Sequence, residues 1–395
     1  RLVGSEMCIR DRYYAVQAEK ISQVRQRLPG PTGETNDLFY EPKGVFVCIS
    51  PWNFPVAIFI GQIAAALITG NSVLAKPSEH TPLLGEIVAD IFYDCGIPTD
   101  ALQLFHGNGE VGQKLISCSG INGVAFTGSL ETAKKIHQQL SHKAGPIANL
   151  IAETGGLNAM IIDSSSLLEQ VVDDILRSAF NSAGQRCSAL RIALIHETIY
   201  EDLLNLLRDA MKELWVGSPE EFHCDVGPII EDRAMTRLEN YLQQFQDRKF
   251  PVFSHNQAPN SGCFIAPTLI ELSSLDEIDH EMFGPILHTL PFQVDNLDNM
   301  LSKLVQKGYG LTMGMHSRIE GKVDDLLQKS ITGNVYINRD IVGAVVGSQP
   351  FGGTGLSGTG FKAGGPNYLL QFVDERTVTK NTVAFGGNTD ILNLD

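Results

Sequence analysis

Several fingerprints of large protein classes are missing from this chain. Nothing in its 395 residues reads Gly-x-Gly-x-x-Gly or as a phosphate-binding P-loop, so local spacing points to neither an ordinary dinucleotide fold nor a nucleoside triphosphatase. The longest apolar run, Pro55 to Gly70, is short for a bilayer crossing and contains Gln62, so a buried helix is expected there and no membrane span. Positive charge is scarce. Against 45 Asp and Glu stand 30 Lys and Arg, a formal charge of −15 with no compensating basic block, which argues against a nucleic-acid partner. Seven cysteines, at 8, 48, 95, 118, 187, 224 and 263, form no Cys-x-x-Cys pair, and the ten histidines show no metal spacing. His223 beside Cys224 has no second pair to complete a site. A reducing, cytoplasmic setting without disulfides or a bound metal is therefore expected.

What is present reads as a globular chain. Apolar residues make up 43% and charged residues 19%, and the length implies two or three domains or subdomains. The first dozen residues, RLVGSEMCIRDR, have no apolar leader core and are expected to be a junction foreign to the rest of the chain, which is then a fragment lacking an N-terminal portion. Residues 13–43 are polar and punctuated by Pro29, Gly30, Pro31 and Gly33, as in a hairpin or extended arm. From Gly44 short apolar strands alternate with helices: GVFVCIS, VAIFIGQIAAALITG, NSVLAKPS, LLGEIVADIFYDCG, and on to PIANLIAE. That alternation implies a doubly wound α/β domain over 44–156, with chemistry in the loops after its strands. A second α/β region is expected over 157–365, and a short helix plus a strand rich in Thr and Val over 366–395. An edge strand invites pairing, so a homo-oligomer is expected.

The stretch FNSAGQRCSALR, Phe180 to Arg191, sets Cys187 between an arginine and a hydroxyl, just after a helix in LLEQVVDDILRSAF. A thiol is a nucleophile only where something stabilises its charge or removes its proton, and a lone cysteine is more often a buried core residue. Three other stretches supply what such a thiol needs: PWNFP at 51–55, FTGS and ETGG between 126 and 156, and EMFGP at 281–285. Ser129 of FTGS opens the helix ETAKKIHQQL, whose unpaired N–H groups can take a pyrophosphate oxygen; as a bare helix cap it would mean nothing more. Lys76 and Glu79 of KPSE lie three residues apart at a strand end, which is also the spacing of a plain surface ion pair.

The order PWNFP, KPSE, FTGS, ETGG, GQRCS, EMFGP, PFGG resembles the aldehyde dehydrogenase superfamily from about Tyr13 to the C-terminus. The wording of NRDIVGAVVGSQPFGGTGLSGTG, 338–360, resembles its L-glutamate γ-semialdehyde dehydrogenase branch, and there the aldehyde dehydrogenase module of bifunctional proline utilization A proteins. That resemblance implies an aldehyde dehydrogenase-like fold: a Rossmann-type doubly wound NAD domain, an α/β catalytic domain and an oligomerisation arm. It implies Cys187 as nucleophile, Asn53 with the Cys187 N–H as oxyanion donors, and Glu153 as the base that hydrolyses a Cys187 thioester formed by way of a thiohemiacetal. It implies NAD held by Trp52, Lys76, Ser78, Glu79, Thr127, Gly128, Ser129, Glu281 and Phe283, with Glu79 repelling a 2′-phosphate. For the substrate it implies Ser188, Gly343 and Ala344 at the α-carboxylate, flanked by Phe180 and Phe351; both aromatics could equally be plain core. The partners implied are a small aldehyde, further copies of the chain and, in a bifunctional parent, a fused proline dehydrogenase domain. Two alternatives stand beside this: an aldehyde dehydrogenase for another small aldehyde, and an inactive NAD-binding or assembly fragment.

Overall fold

The computed structural model describes residues 3–22, 25–254, 258–382 and 384. Residues 1–2 of the expected junction, 23–24 of the expected arm, and 383 and 385–395 of the expected C-terminal segment lie outside them. Ten α-helices and seventeen strands, numbered in chain order, occur among the described residues. They fall into two compact units, Arg1–Ala152 with Val345–Phe351 and Gly360–Asp395, and Glu153–Ala344 with Gly352–Thr359. Among the described residues no helix is long and apolar enough to cross a membrane.

In the first unit, α1 (Val3–Ser22) precedes β1 (Gln26–Leu28), β2 (Glu34–Pro42) and β3 (Val45–Ile49). Tyr13 to Ser22 are thus helical, where the polar text suggests an arm. Tyr14 is buried, stacks on Tyr368 at 5.7 Å and accepts the Gly364 N–H at 3.0 Å, Gln17 is buried one turn on, and Tyr13, Ala18 and Ile21 pack against the same core. Next in the chain are α2 (Ala57–Ile68), β4 (Ser72–Lys76), α3 (Pro82–Asp94), β5 (Leu102–Leu104), α4 (Gly109–Ser117), β6 (Ile121–Thr127), α5 (Leu130–His142) and β7 (Asn149–Glu153), whose last residue begins the second unit. As its all-apolar text requires, α2 is buried, and its Gln62 satisfies its amide on the Thr127 hydroxyl at 3.0 Å. The sheet order is β5-β4-β3-β6-β7, with β3 parallel to both β4 and β6. Winding runs outward from β3 through β4 to β5 and then reverses to β6, so the topological switch lies between β3 and β6. The last strand, β17 (Val373–Asn381), pairs antiparallel with β2 and is an edge of a three-stranded sheet ordered β1-β2-β17.

The second unit holds β8 (Asn158–Ile162), α6 (Leu168–Phe180), β9 (Leu190–His196), α7 (Tyr200–Lys212), α8 (Asp232–Asp247), β10 (Val252–Ser254), β11 (Thr268–Glu271) and β12 (Ile286–Phe292). It continues through α9 (Leu297–Gln306), β13 (Tyr309–Gly310), β14 (Thr312–His316), α10 (Glu320–Lys329), β15 (Asn334–Ile337) and β16 (Thr354–Gly355). Seven strands in the order β10-β11-β12-β9-β8-β14-β15 form its sheet, parallel except for β10. β8 and β9 are buried at every residue, the signature of a sheet covered on both faces.

Candidate active site

Cys187 sits in a loop that enters β9, at the amino ends of the parallel strands. Asn158, first residue of β8, donates from Nδ2 to the carbonyls of Cys187 at 2.7 Å and Ala189 at 2.9 Å, and its Oδ1 accepts the Thr312 N–H of β14 at 3.1 Å. One buried amide thereby ties the Cys187 segment to two neighbouring strands. Upstream, Ser182 and Ala183 hold φ of 56° and 53°, a left-handed conformation that costs roughly 1–2 kcal/mol per residue without glycine. The surroundings over-determine it. Gln185 donates to the carbonyls of Ser182 at 3.3 Å and Pro228 at 3.0 Å, and Arg186 Nε to the Ser182 hydroxyl at 2.9 Å.

The guanidinium beside the thiol is therefore not that of Arg186, as the sequence order suggests, but that of Arg191. Arg191 is 1% exposed and donates to the carbonyls of Gly184 (2.8 Å), Gly284 (3.1 Å) and Arg186 (3.1 Å), and to Glu281 Oε1 (3.0 Å). Its charge also lies over the Phe283 ring, 5.5 Å from the centroid. Below it, the buried His288 donates Nδ1–H to the Arg191 carbonyl at 2.9 Å, which leaves Nε2 to accept from the Tyr241 hydroxyl at 3.0 Å. Arg191 thus joins the Cys187 loop to EMFGP. The sequence did carry a signal for it: a charged residue inside the otherwise apolar strand LRIALIH.

Glu281 lies against ETGG. A Cβ on Gly155 would stand 1.6 Å from Glu281 Oε2, so only glycine leaves room for the carboxylate, and the Gly156 N–H bonds to it. Burial raises the Glu281 carboxyl above its usual range, against the opposing pull of Arg191. The other acid, Glu153, bridges antiparallel to Gly358, while Thr154 N–H donates to the Ser357 carbonyl at 3.1 Å and the Ser357 hydroxyl to the Gly155 carbonyl at 2.8 Å. The glycine-rich segment after PFGG thus pins the backbone around Glu153.

Although Cys187 keeps part of its surface accessible, the protein packed around its thiol pushes it up to about 12, with Glu281 and then Glu153 adding to the rise; the Ser188 N–H and Arg191 pull the other way and lose. A resting thiolate stabilised by a neighbouring arginine, the simple expectation, is not what the loop builds. At neutral pH the sulfur is protonated and needs a base. Removing the Glu281 charge is expected to lower the thiol pKa, so Glu281→Gln should speed iodoacetamide labelling of Cys187 at neutral pH by about tenfold, one pKa unit. Peptide mass mapping reads this site apart from the other cysteines, and an unchanged rate would contradict the assigned coupling.

Of the expected substrate residues, Ser188 is buried with its carbonyl accepting from the Thr312 hydroxyl at 3.4 Å, and Phe180 is 1% exposed at the end of α6. Gly343 lies exposed with φ of +77°, beside half-buried Ala344, so this turn offers backbone amides to solvent. Phe351 belongs to the first unit, where its N–H donates to the Ala363 carbonyl at 2.9 Å.

The expected cofactor residues of the first unit gather at the carboxyl ends of β3, β4 and β6, around the switch point. Trp52 and Asn53 come just after β3. Lys76 ends β4, buried, with Nζ donating to the Pro77 carbonyl at 3.2 Å and lying 3.7 Å from the exposed Glu79; Ser78 is buried between them. Thr127 ends β6, and after Gly128 the Ser129 hydroxyl caps α5 by accepting the Thr132 N–H at 3.2 Å. A buried cation, an exposed acid and a helix N-terminus at the carboxyl ends of one parallel sheet are groups of the kind that suit a ribose and a pyrophosphate. Among the described residues no group of three or more His, Cys, Asp or Glu could hold a metal ion.

A family profile described as "Aldehyde dehydrogenase family" matches residues 6–378. The chain is 47% identical over 360 residues to the bifunctional protein PutA of Escherichia coli (strain K12), covering 87% of this chain and 27% of that protein. A crystal structure of a bifunctional proline utilization A protein superposes with TM-score 0.93 at 47% identity, over 96% of this chain and 39% of that one. The 1-pyrroline-5-carboxylate dehydrogenase from Thermus with bound NAD superposes with TM-score 0.87 at 32% identity, over 93% and 72% of the two chains. The chain thus spans about a quarter of the length of the bifunctional relative.

Proposed function

The chain belongs to the aldehyde dehydrogenase family, and from that premise we propose that it oxidises L-glutamate γ-semialdehyde, the aldehyde in equilibrium with Δ1-pyrroline-5-carboxylate, to L-glutamate, with NAD as oxidant. The observation that carries the chemistry is that one buried guanidinium, Arg191, ties the Cys187 loop to Glu281, with the charges of Glu281 and Glu153 both raising the thiol, all within one unit. The relatives named for 1-pyrroline-5-carboxylate support the substrate, as does the open Gly343–Ala344 turn.

Cys187 gives up its proton to a neighbouring carboxylate, and its sulfur adds to the aldehyde carbon. The carbonyl π electrons move to oxygen, where the Cys187 N–H and the Asn53 side-chain amide donate; one such donor is worth roughly 3 kcal/mol in a transition state. Bound nicotinamide supplies the acceptor for the hydride that this adduct loses. Glu153 then takes a proton from water, the water oxygen adds to the thioester carbon, and the acid leaves as the sulfur is released. Lys76, Ser78 and Glu79 would hold the adenosine ribose, Thr127, Gly128, Ser129 and the α5 N-terminus the pyrophosphate, and Trp52, Glu281 and Phe283 the nicotinamide end. To hold a ribose hydroxyl, Glu281 would share its carboxylate between that hydroxyl and Arg191. Ser188 and the Gly343–Ala344 amides receive the α-carboxylate, and Phe180 and Phe351 flank the carbon chain.

Formation of reduced nicotinamide with Δ1-pyrroline-5-carboxylate, compared with propanal, tests this reading. At least a tenfold preference for the pyrroline and for NAD over NADP is expected, about 1.4 kcal/mol each. Equal rates with both aldehydes would remove the substrate, and equal rates with both dinucleotides the role of Glu79. We also propose that β17, an edge in its own sheet, pairs in a homo-oligomer, which a monomeric solution mass would refute, and that the parent is fused to a proline dehydrogenase domain, which the reading frame around this chain decides.

A further inference from the structure

The helix that leads into the nucleophile loop carries three polar side chains one turn apart; the outer two hold the backbone of a single distant segment and the middle one faces it. Gln170 Nε2 donates to the Asn338 carbonyl at 3.0 Å and the Ser178 hydroxyl accepts the Ile341 N–H at 3.1 Å, while the buried Asp174 carboxylate between them faces Asp340, whose charge opposes ionisation of Asp174 and whose N–H favours it. Positions 170, 174 and 178 fall on one stripe of α6, each four residues on. Asp174 and Ser178 are 8% and 1% exposed, so neither bond is shared with bulk water. Asp174 also faces the His316 ring, Nε2 to Oδ2 at 3.4 Å; burial holds that imidazole down at about 4, so it stands there as a neutral group.

The held segment is itself rigid. Asp340 Oδ1 accepts the Val342 N–H at 3.2 Å and the Arg339 Nη2 at 3.3 Å, and Arg339 Nε donates to the Asp340 carbonyl at 3.1 Å. Ile341 and Val342 are buried, and the exposed Gly343–Ala344 turn comes directly after them. Tyr336, just before the segment, carries the Arg339 guanidinium over its ring at 5.2 Å, and burial raises its hydroxyl, with Arg339 pulling the other way and the charges of Asp340 and Cys187 adding to the rise. At its other end α6 passes through Phe180 into the strained Ser182–Ala183 turn, whose position Arg191 fixes through the Gly184 carbonyl.

We propose that Gln170, Asp174 and Ser178 are positioning residues that make α6 a strut between the Cys187 thiol and the 343–344 turn, and so set the length of carboxylate-bearing aldehyde the enzyme selects. None of the three touches substrate. A strut of fixed length puts a carboxylate held at the turn and an aldehyde carbon at the sulfur a fixed number of bonds apart. Its slackening costs orientation of a substrate that spans both points. A plain aldehyde that engages only the sulfur end does not feel it.

This rests on the carboxylate-turn reading above, and the assay separates the two. In the full chain, Ser178→Ala removes the acceptor of a buried N–H, and the ratio of kcat/KM for Δ1-pyrroline-5-carboxylate to that for propanal is expected to fall about tenfold, mostly through KM. Asp174→Ala should do the same, and Asp174→Asn, which keeps an acceptor oxygen, should restore most of the ratio. Should the buried variants melt early, Gln170→Ala, on the exposed face, is expected to lower the ratio about threefold without loss of fold. A wild type with no preference removes the turn and the strut together. A wild type with the preference and variants that keep it, or that lose both substrates equally, overturns the strut alone.

Discussion

Cys187→Ala is expected to reduce aldehyde oxidation by at least about 10⁴-fold, to background, while NAD binding stays within about twofold of the wild type. Cys187, the proposed nucleophile, lies in the second unit, at the amino ends of β8, β9 and β14, whereas the residues proposed to hold a dinucleotide lie at the carboxyl ends of β3, β4 and β6 in the first. Loss of one sulfur removes the bond to substrate and leaves Lys76, Glu79 and the α5 N-terminus as they were. Turnover is read by reduced nicotinamide and binding by quenching of protein fluorescence. Retained turnover would show that another group attacks the aldehyde; loss of dinucleotide binding would show that the two sites are not separable.

Arg191→Leu is expected to have the largest effect on stability. Four acceptors converge on this one guanidinium, three of them main-chain carbonyls and one the Glu281 carboxylate, and its side chain is 1% exposed. Removing one partner of a buried ion pair leaves the other charge without compensation and costs about 3–5 kcal/mol. The Gly184 and Gly284 carbonyls would also lose a donor where water does not easily replace it. The expected readout is a marked fall in the denaturation midpoint, measured by near-ultraviolet circular dichroism, together with loss of turnover. Arg191→Lys is expected to recover little, because an ammonium cannot span the fork of acceptors that a planar guanidinium reaches. An unchanged midpoint in the leucine variant would remove Arg191 as the tie between the two loops.

Residues differ in how far their roles are legible from sequence, and the difference is physical. The strands β3, β4 and β6 and the helices between them are legible because each satisfies its own burial: apolar runs of strand length, an all-apolar helix, a Ser-capped start to α5. The motifs fall in loops, where composition is least constrained by packing, so their unusual residues stand out. Arg191 does not, although it interrupts an apolar strand, because its meaning depends on Glu281, 90 positions away. Asn158 reads as an ordinary start to NAMII until the Cys187 and Ala189 carbonyls are brought to it. The stripe Gln170, Asp174, Ser178 looks like the polar face of an amphipathic helix, and only the arrival of 338–341, more than 160 residues on, turns it inward. The helix over Tyr13 to Ser22 is hidden for a related reason. Over Tyr13 to Ser22 the fully buried positions are Tyr14 and the polar Gln17, so no apolar period rises above the polar text around it. The protonation of Cys187 belongs to the same class: a neighbour in sequence, Arg186, points to Ser182, while two carboxylates from distant loops approach the sulfur.

Whether carbon from the pyrroline leaves as a free acid decides between hydrolysis at Glu153 and every alternative fate of the thioester. Incubation of the chain with Δ1-pyrroline-5-carboxylate and NAD, and then quantification of L-glutamate and reduced nicotinamide in the same samples, is predicted to give the two products in equal amounts over many turnovers. Reduced nicotinamide that stops at one equivalent per chain, with no free L-glutamate, would contradict hydrolysis by Glu153; steady formation of neither would contradict the proposed activity itself.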